Sequence, residues 1–305
     1  MRVRLLGTAA GGGFPQWNCA CPNCDGVRRG TVAAKPRREC CVAVSADGDY
    51  WFLINAPPDI RGQVESFLPL LPTGVVRGSG IAGVLLTGAD LDQVLGLLAL
   101  REGPRLNVHA TAAVRRSLDV GLSLPATLNC YAGTNWLVPP ETLAPLFVGD
   151  GIPSGLSYAA LPLPGQPPRY LRGRTAATPD DCIGYLIVDG TTGGRLVVAP
   201  SVSALTPSAL MWFGECDALL VDGAFWDDLE LPRLGIGTLR ATEMGHVPVG
   251  GPGGSLVALA SLPVPRKIYV HVNNTNPMLL DNSPARWAVE AGGMTVGQDG
   301  FEFEL

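Results

Sequence analysis

Three cysteines crowd into "NCACPNCDG": Cys19, Cys21 and Cys24. The C-x-C-x-x-C spacing is too tight for comfortable disulfides. It does let thiolates converge from one loop, residues 17–26, on a single soft ion such as Zn2+. A tetrahedral zinc needs a fourth ligand, which that loop does not supply. A second set of polar residues gathers where apolar runs end. "TGADLDQVLGLL" places Asp90 and Asp92 directly behind "GVLL", and "LLVDGAFWDD" closes an apolar run on Asp222. "EMGHVPVGG" carries His246, and "KIYVHVNNTNP" carries His271. Carboxylates and imidazoles at strand ends are the ligand types of a catalytic divalent ion. The polar, turn-rich "HVNNTNP" makes His271 the stronger histidine candidate. His109, alternating within "LNVHAT", reads as structural.

Residues so scattered must be brought together by the elements between them. Segments such as "RVRLLGT", "CCVAVSA", "YWFLINA", "GIAGVLLTG", "CIGYLIVDG", "GRLVVAPSV", "ALLVDGA" and "GMTVGQDGFEFE" read as strands. They are rich in β-branched and aromatic residues and bounded by Gly, Pro or Asp. Helices are expected over 59–68, 92–101, 112–121, 207–215, 253–262 and 283–291, several opening on capping residues or an early proline. Strand groups interspersed with helices suggest a layered α/β arrangement, two sheets with helices outside. No repeat or low-complexity tract divides the 305 residues, so one domain spanning 1–305 is expected. The stretch 162–181, rich in Pro and Gly, is the candidate for a long functional loop.

Composition narrows the partners. With 47% hydrophobic residues the chain can bury a large core. A net charge of −5 argues against nucleic acid or an anionic membrane as partner. No apolar run reaches the ~18 residues needed to span a bilayer, and "MRVRLLGTAAGGG" lacks the apolar core of a signal peptide. The protein is expected to be cytoplasmic. Cys40, Cys41, Cys130, Cys182 and Cys216 lie in or beside apolar segments and read as core thiols. An exposed apolar edge could support a homodimer.

Five stretches together carry a family resemblance: "LLGTAAGGGFPQWNCACPNC", "LLTGADLDQVLGLLALREG", "LLVDGAFWDD", "EMGHVPVGG" and "HVNNTNPML". In these motifs and their order the chain resembles the pyrroloquinoline quinone (PQQ) biosynthesis protein B family, a branch of the metallo-β-lactamase superfamily. The resemblance implies an αββα sandwich of two mixed sheets, with a metal site where strand-end loops meet at one edge. The superfamily signature H-x-H-x-D-H falls here on Gly88, Asp90, Asp92 and Gln93. The branch usually lacks the leading histidines but keeps Asp-His, which with the late histidine gives a two-histidine, one-carboxylate site suited to Fe2+. The implied activity is iron-dependent hydroxylation of a tyrosine ring in a small peptide-derived precursor.

At the decisive position this chain carries Gln93 in place of histidine. The mapped set is then Asp92, Gln93 and His271, with Asp222 at the bridging position. A neutral amide oxygen is a weak ligand for iron, so Asp90 or Asp222 would have to complete the face, or the active-site metal is absent. His246 resembles a loop histidine that, in phosphodiesterase-like relatives, lies near the scissile group outside the metal shell. With Asp90 it is a catalytic candidate for moving a proton. The resemblance maps the fourth ligand of the structural zinc to Asn274, making that zinc a brace on the active-site wall. Two other readings stay open: a metal-depleted binding or carrier protein, and a metal-dependent hydrolase.

Overall fold

The computed structural model describes residues 1–149 and 151–305. The first half of the chain lays down β1 (Arg2–Gly7), β2 (Cys41–Ser45), β3 (Trp51–Ile54), β4 (Ile81–Leu85), β5 (Leu106–His109) and β6 (Thr134–Leu137). The second half lays down β7 (Ala144–Val148), β8 (Ile152–Pro162), β9 (Ile183–Asp189), β10 (Arg195–Ala199), β11 (Ala218–Asp222), β12 (Arg266–Val270) and β13 (Thr295–Val296). The last strand, β14 (Glu302–Glu304), returns to pair with β1. Two seven-stranded mixed sheets result, ordered β14-β1-β2-β3-β4-β5-β6 and β13-β12-β11-β10-β9-β8-β7.

Strands such as Cys41–Ser45 and Ala218–Asp222 are buried at every position, because each sheet is covered on both faces. Between the sheets lie Leu5, Phe52, Tyr185, Ile187 and Leu220. Outside the first sheet, Ile60, Val114, Leu118 and Leu128 come from helices Ile60–Glu65, Ala112–Leu122 and Leu124–Asn129. Outside the second, Phe213, Leu259 and Val289 come from helices Pro207–Gly214, Ser255–Ala260 and Pro284–Ala291. Three apolar layers between four layers of structure make this the expected αββα sandwich.

Polar ties cross the central layer. His109 Nδ1 meets the Tyr158 hydroxyl at 2.8 Å, β5 to β8, and the Tyr185 hydroxyl donates to the Leu86 carbonyl at 3.0 Å. His109 is therefore structural, as its strand setting implied.

Several local expectations change. "GMTVGQDGFEFE" is not one strand: Gly300 turns in the left-handed region, and β13 and β14 end in different sheets. The Asp299 carboxylate holds that crossing by accepting from Thr8 Oγ1 and the Arg38 backbone N–H. Strands β6 and β7 lie at sheet edges, partly exposed: β6, opening on Thr134 and Asn135, has no apolar run, and in β7 Pro145 interrupts the strand pattern of an otherwise apolar segment. The cysteine segment is half helical, Pro22–Arg29, with proline in its first turn and Gly30 as a left-handed cap. Cys130 is exposed rather than a core thiol; the other four single cysteines are buried. Among the described residues no helix is long and apolar enough to cross a membrane.

Candidate metal centres

Cys19, Cys21 and Cys24 offer three sulfurs within 4.8 Å of one another. The Asn274 side chain lies over them, its Nδ2 at 3.2, 3.7 and 3.3 Å from the three Sγ atoms. Since amide N and O interchange by a half-turn, the same pose can present Oδ1 to an ion held by the thiolates. Burial opposes ionisation of Cys19. Hydrogen bonds from the Cys21 backbone and from Cys21, Cys24 and Asn274 outweigh it and hold that thiol below its ordinary range. Burial pushes Cys21 up to about 12. A soft divalent cation, which takes thiolates, fits this donor set. The structure brings Asn274, which the family resemblance pointed to, against the three cysteines.

Asn274 belongs to a loop pinned at every residue from His271 to Asn276. Asn276 donates to the carbonyls of Gly223 and Ala224, and its Oδ1 accepts from Met278. Asn23, on the cysteine helix, donates to the carbonyls of Asn274 and Asn276. The Thr275 hydroxyl binds Glu230. His271 opens the loop at φ 56, a left-handed conformation that typically costs a side chain about 1–3 kcal/mol and persists where surrounding contacts over-determine it.

The second centre lies where β4, β11 and β12 end at one edge of the two sheets. Asp222, His246 and His271 each offer a ligand atom within 4.8 Å of the others. Asp222 is fixed by backbone N–H donors, Val202 to Oδ2 and Ala224 to Oδ1, both 2.9 Å. From there its Oδ2 reaches His246 Nδ1 at 2.7 Å, and its Oδ1 lies 4.0 Å from His271 Nδ1. The two imidazoles stack at 5.4 Å, with Phe225 edge-on to His246. His271 Nε2 faces the other way, 2.9 Å from Asp92 Oδ2. Burial works against both charges of that pair. Their hydrogen bond and mutual attraction nevertheless hold Asp92 below and His271 above their ordinary ranges. His271 Nδ1 is buried without a hydrogen-bond partner, and an orphaned donor atom in a set of two imidazoles and a carboxylate suits a divalent ion that takes nitrogen and oxygen.

The remaining mapped residues stand around this cluster. Asp90 lines the cleft with one side open to solvent; desolvation and the neighbouring Asp92 charge raise its carboxyl. Gln93 is buried, and its Oε1 has no hydrogen-bond partner. That oxygen occupies the room beside Gly88: a Cβ built at Gly88 would meet it at 2.5 Å. Gly11 in turn lies against Asp92, where a Cβ would come within 3.2 Å of the aspartate side chain. The cleft has a volume of about 420 Å³. A second cavity of about 750 Å³ runs along the cysteine loop and shares Arg169, Leu239, Met244 and Asn273 with it.

Sequence reasoning did not find Glu39, Arg169 or Arg172, which also line the cleft. Glu39 follows two arginines in an ordinary charged run and carries no motif. Burial pushes its carboxyl up to about 7. The arginines sit in the loop already marked as functional, which is pinned by the Tyr170 hydroxyl on the Ala89 carbonyl at 2.8 Å.

Comparison with known proteins identifies the family and agrees with the fold. Residues 50–272 match the family model of the β-lactamase superfamily domain. The chain is 41% identical to coenzyme PQQ synthesis protein B of Pseudomonas entomophila and 40% identical to that of Methylobacillus flagellatus, over 306 residues and the full length of each. It is similar to the crystal structure of Zn(2+)-bound PqqB from Methylobacterium extorquens, with a TM-score of 0.90 and 35% identity over the whole of both chains. A diphosphatase of the PhnP family shares the fold at a TM-score of 0.66 and 18% identity, covering 100% of this chain and 97% of its own. Over its full length, this chain belongs to the coenzyme PQQ synthesis protein B family of the β-lactamase superfamily.

Proposed function

We propose that this member of the PQQ pathway is a non-haem, iron- and O2-dependent hydroxylase acting on a tyrosine or similar aromatic ring in a small peptide-derived precursor. The observation that carries the reading is the buried set of two imidazoles and one carboxylate within 4.8 Å, beside a cleft of about 420 Å³. Such a set leaves coordination positions free, and iron(II) held by it would supply the binding and activation of O2. The protein's part is to bind and orient the ring. Arg169 and Arg172 offer cations to a carboxylate on the precursor, Phe225 gives an apolar wall, and Asp90 is the carboxylate placed to exchange a proton with the substrate. One oxygen atom enters a ring C–H bond. The other leaves as water, with two electrons and two protons from an external reductant of the ascorbate type.

The zinc reading belongs to the cysteine cluster, where Cys19, Cys21, Cys24 and Asn274 are proposed to hold a structural ion. A hydrolase is the poorer reading, since two-metal water activation needs histidines where Gly88, Asp90 and Gln93 stand. A metal-depleted carrier is favoured by one observation: Asp222–His246 and Asp92–His271 hydrogen-bond to each other as pairs. Iron-loaded protein, ascorbate and tyrosine-containing dipeptides, analysed by mass spectrometry under 18O2, decide between them. Incorporation of labelled oxygen into the ring is expected; tight binding of the same peptides with no incorporation would favour the carrier.

A further inference from the structure

We infer that His246, His271 and Asp222 hold the catalytic ion in this chain, while Asp92 orients His271 and Gln93 is not a ligand. The inference rests on reading the cleft as a metal site, and it changes which residues build that site.

Three observations converge. First, His246 is the second imidazole actually present: its Nδ1 lies 2.7 Å from the Asp222 carboxylate, and it joins the only set of carboxylate and imidazole atoms among the described residues that closes within 4.8 Å. Asp92 and Asp222 do not close into such a set with His271. Second, the two nitrogens of His271 have different surroundings. Nε2 is spent on Asp92 at 2.9 Å. Nδ1 is buried, unpartnered and turned toward Asp222 at 4.0 Å. A metal-bound imidazole characteristically donates its other N–H to a carboxylate, which fixes its ring and raises its basicity. Asp92 is placed for that role and Nδ1 for the ion. Third, the Gln93 oxygen is directed at the space over Gly88, and among the described residues its side chain makes no hydrogen bond to Asp92, Asp222 or His271.

The assignment is chemically coherent. The second imidazole comes from the 241–246 loop, which is held by the His246 backbone N–H on the Ala241 carbonyl at 3.0 Å. The set keeps two neutral nitrogens and one carboxylate, so its charge and softness remain those of an iron(II) site.

The test is metal binding, not turnover. Full-length protein with its cysteine site filled by zinc is titrated anaerobically with cobalt(II), whose visible spectrum reports nitrogen and oxygen ligation, in the parent and in H246A, H246N, Q93A and D92N. Expected are a loss of about 100-fold or more in affinity for both His246 variants, about 10–100-fold for D92N, and less than about threefold for Q93A. One retained zinc per chain and an unchanged circular dichroism spectrum identify variants that still fold. A loss in Q93A equal to that in H246N, or unchanged affinity in both His246 variants, would overturn the assignment. If cobalt binds as expected but iron-loaded protein hydroxylates no peptide, the ligand set stands and the hydroxylase reading fails.

Discussion

Asn276 shows how much one residue can carry here. It is fully buried, its side chain satisfies two carbonyls and one N–H, and its own carbonyl accepts from Asn23. Asn276→Ala leaves several buried groups unpaired, so a loss of about 2–4 kcal/mol in urea unfolding is expected. Zinc retention by the cysteine cluster should fall with it, because Asn274 is two residues away. Unchanged stability would mean that solvent replaces those bonds. At this scale the sequence was readable wherever a residue's chemistry is unusual: clustered thiols, strand-end acids, scarce histidines. It was unreadable for Gln93 and Glu39, whose meaning depends on where a side chain turns. Gln93 was expected among the ligands from the family resemblance, yet its oxygen lies over Gly88. Glu39 sits in a plain charged run, yet it faces the cleft.

At the level of elements, β5 and β8 are joined through His109 and Tyr158. Burial in the sheet interface depresses His109 to about 4. It therefore stays neutral in the fold at pH values where the unfolded chain, near 6.5, takes up a proton. Its contribution is complete above pH 6.5 and is lost as the pH falls toward 4. Between pH 7 and pH 5 the loss amounts to about 2 kcal/mol. Urea unfolding of the parent and of His109→Gln at both pH values measures it: the variant should lose correspondingly less on acidification, and equal losses would assign the pH dependence elsewhere. Central strands announced themselves by continuous apolar runs because both of their faces are covered. Edge strand β6 did not, opening on Thr134 and Asn135, in β7 Pro145 masked an apolar run, and the β13–β14 split was hidden because a glycine-rich crossing reads like an interrupted strand.

Taken whole, the molecule ties its two candidate centres through one short loop, from His271 at the cleft to Asn274 at the thiolates. Removing zinc from the cysteine cluster, by a thiol-reactive mercurial followed by chelation or by Cys24→Ser, should weaken cobalt binding at the cleft by about tenfold, as loss of an outer support typically does. The sandwich itself should survive, since Cys21 and Cys24 join only the layer outside the second sheet and the other two apolar layers contain none of the three thiols. Cobalt affinity unaffected by zinc loss would show that the other loop contacts suffice. The packing of Gln93 over Gly88 also couples those two positions. The first carbon of a side chain at 88 would lie 2.5 Å from the Gln93 oxygen, the far end of a flexible side chain, so Gly88→Ala requires that amide to swing aside rather than the backbone to shift. The cost of filling position 88 is therefore set by how freely residue 93 can turn, and a shorter side chain at 93 lowers it.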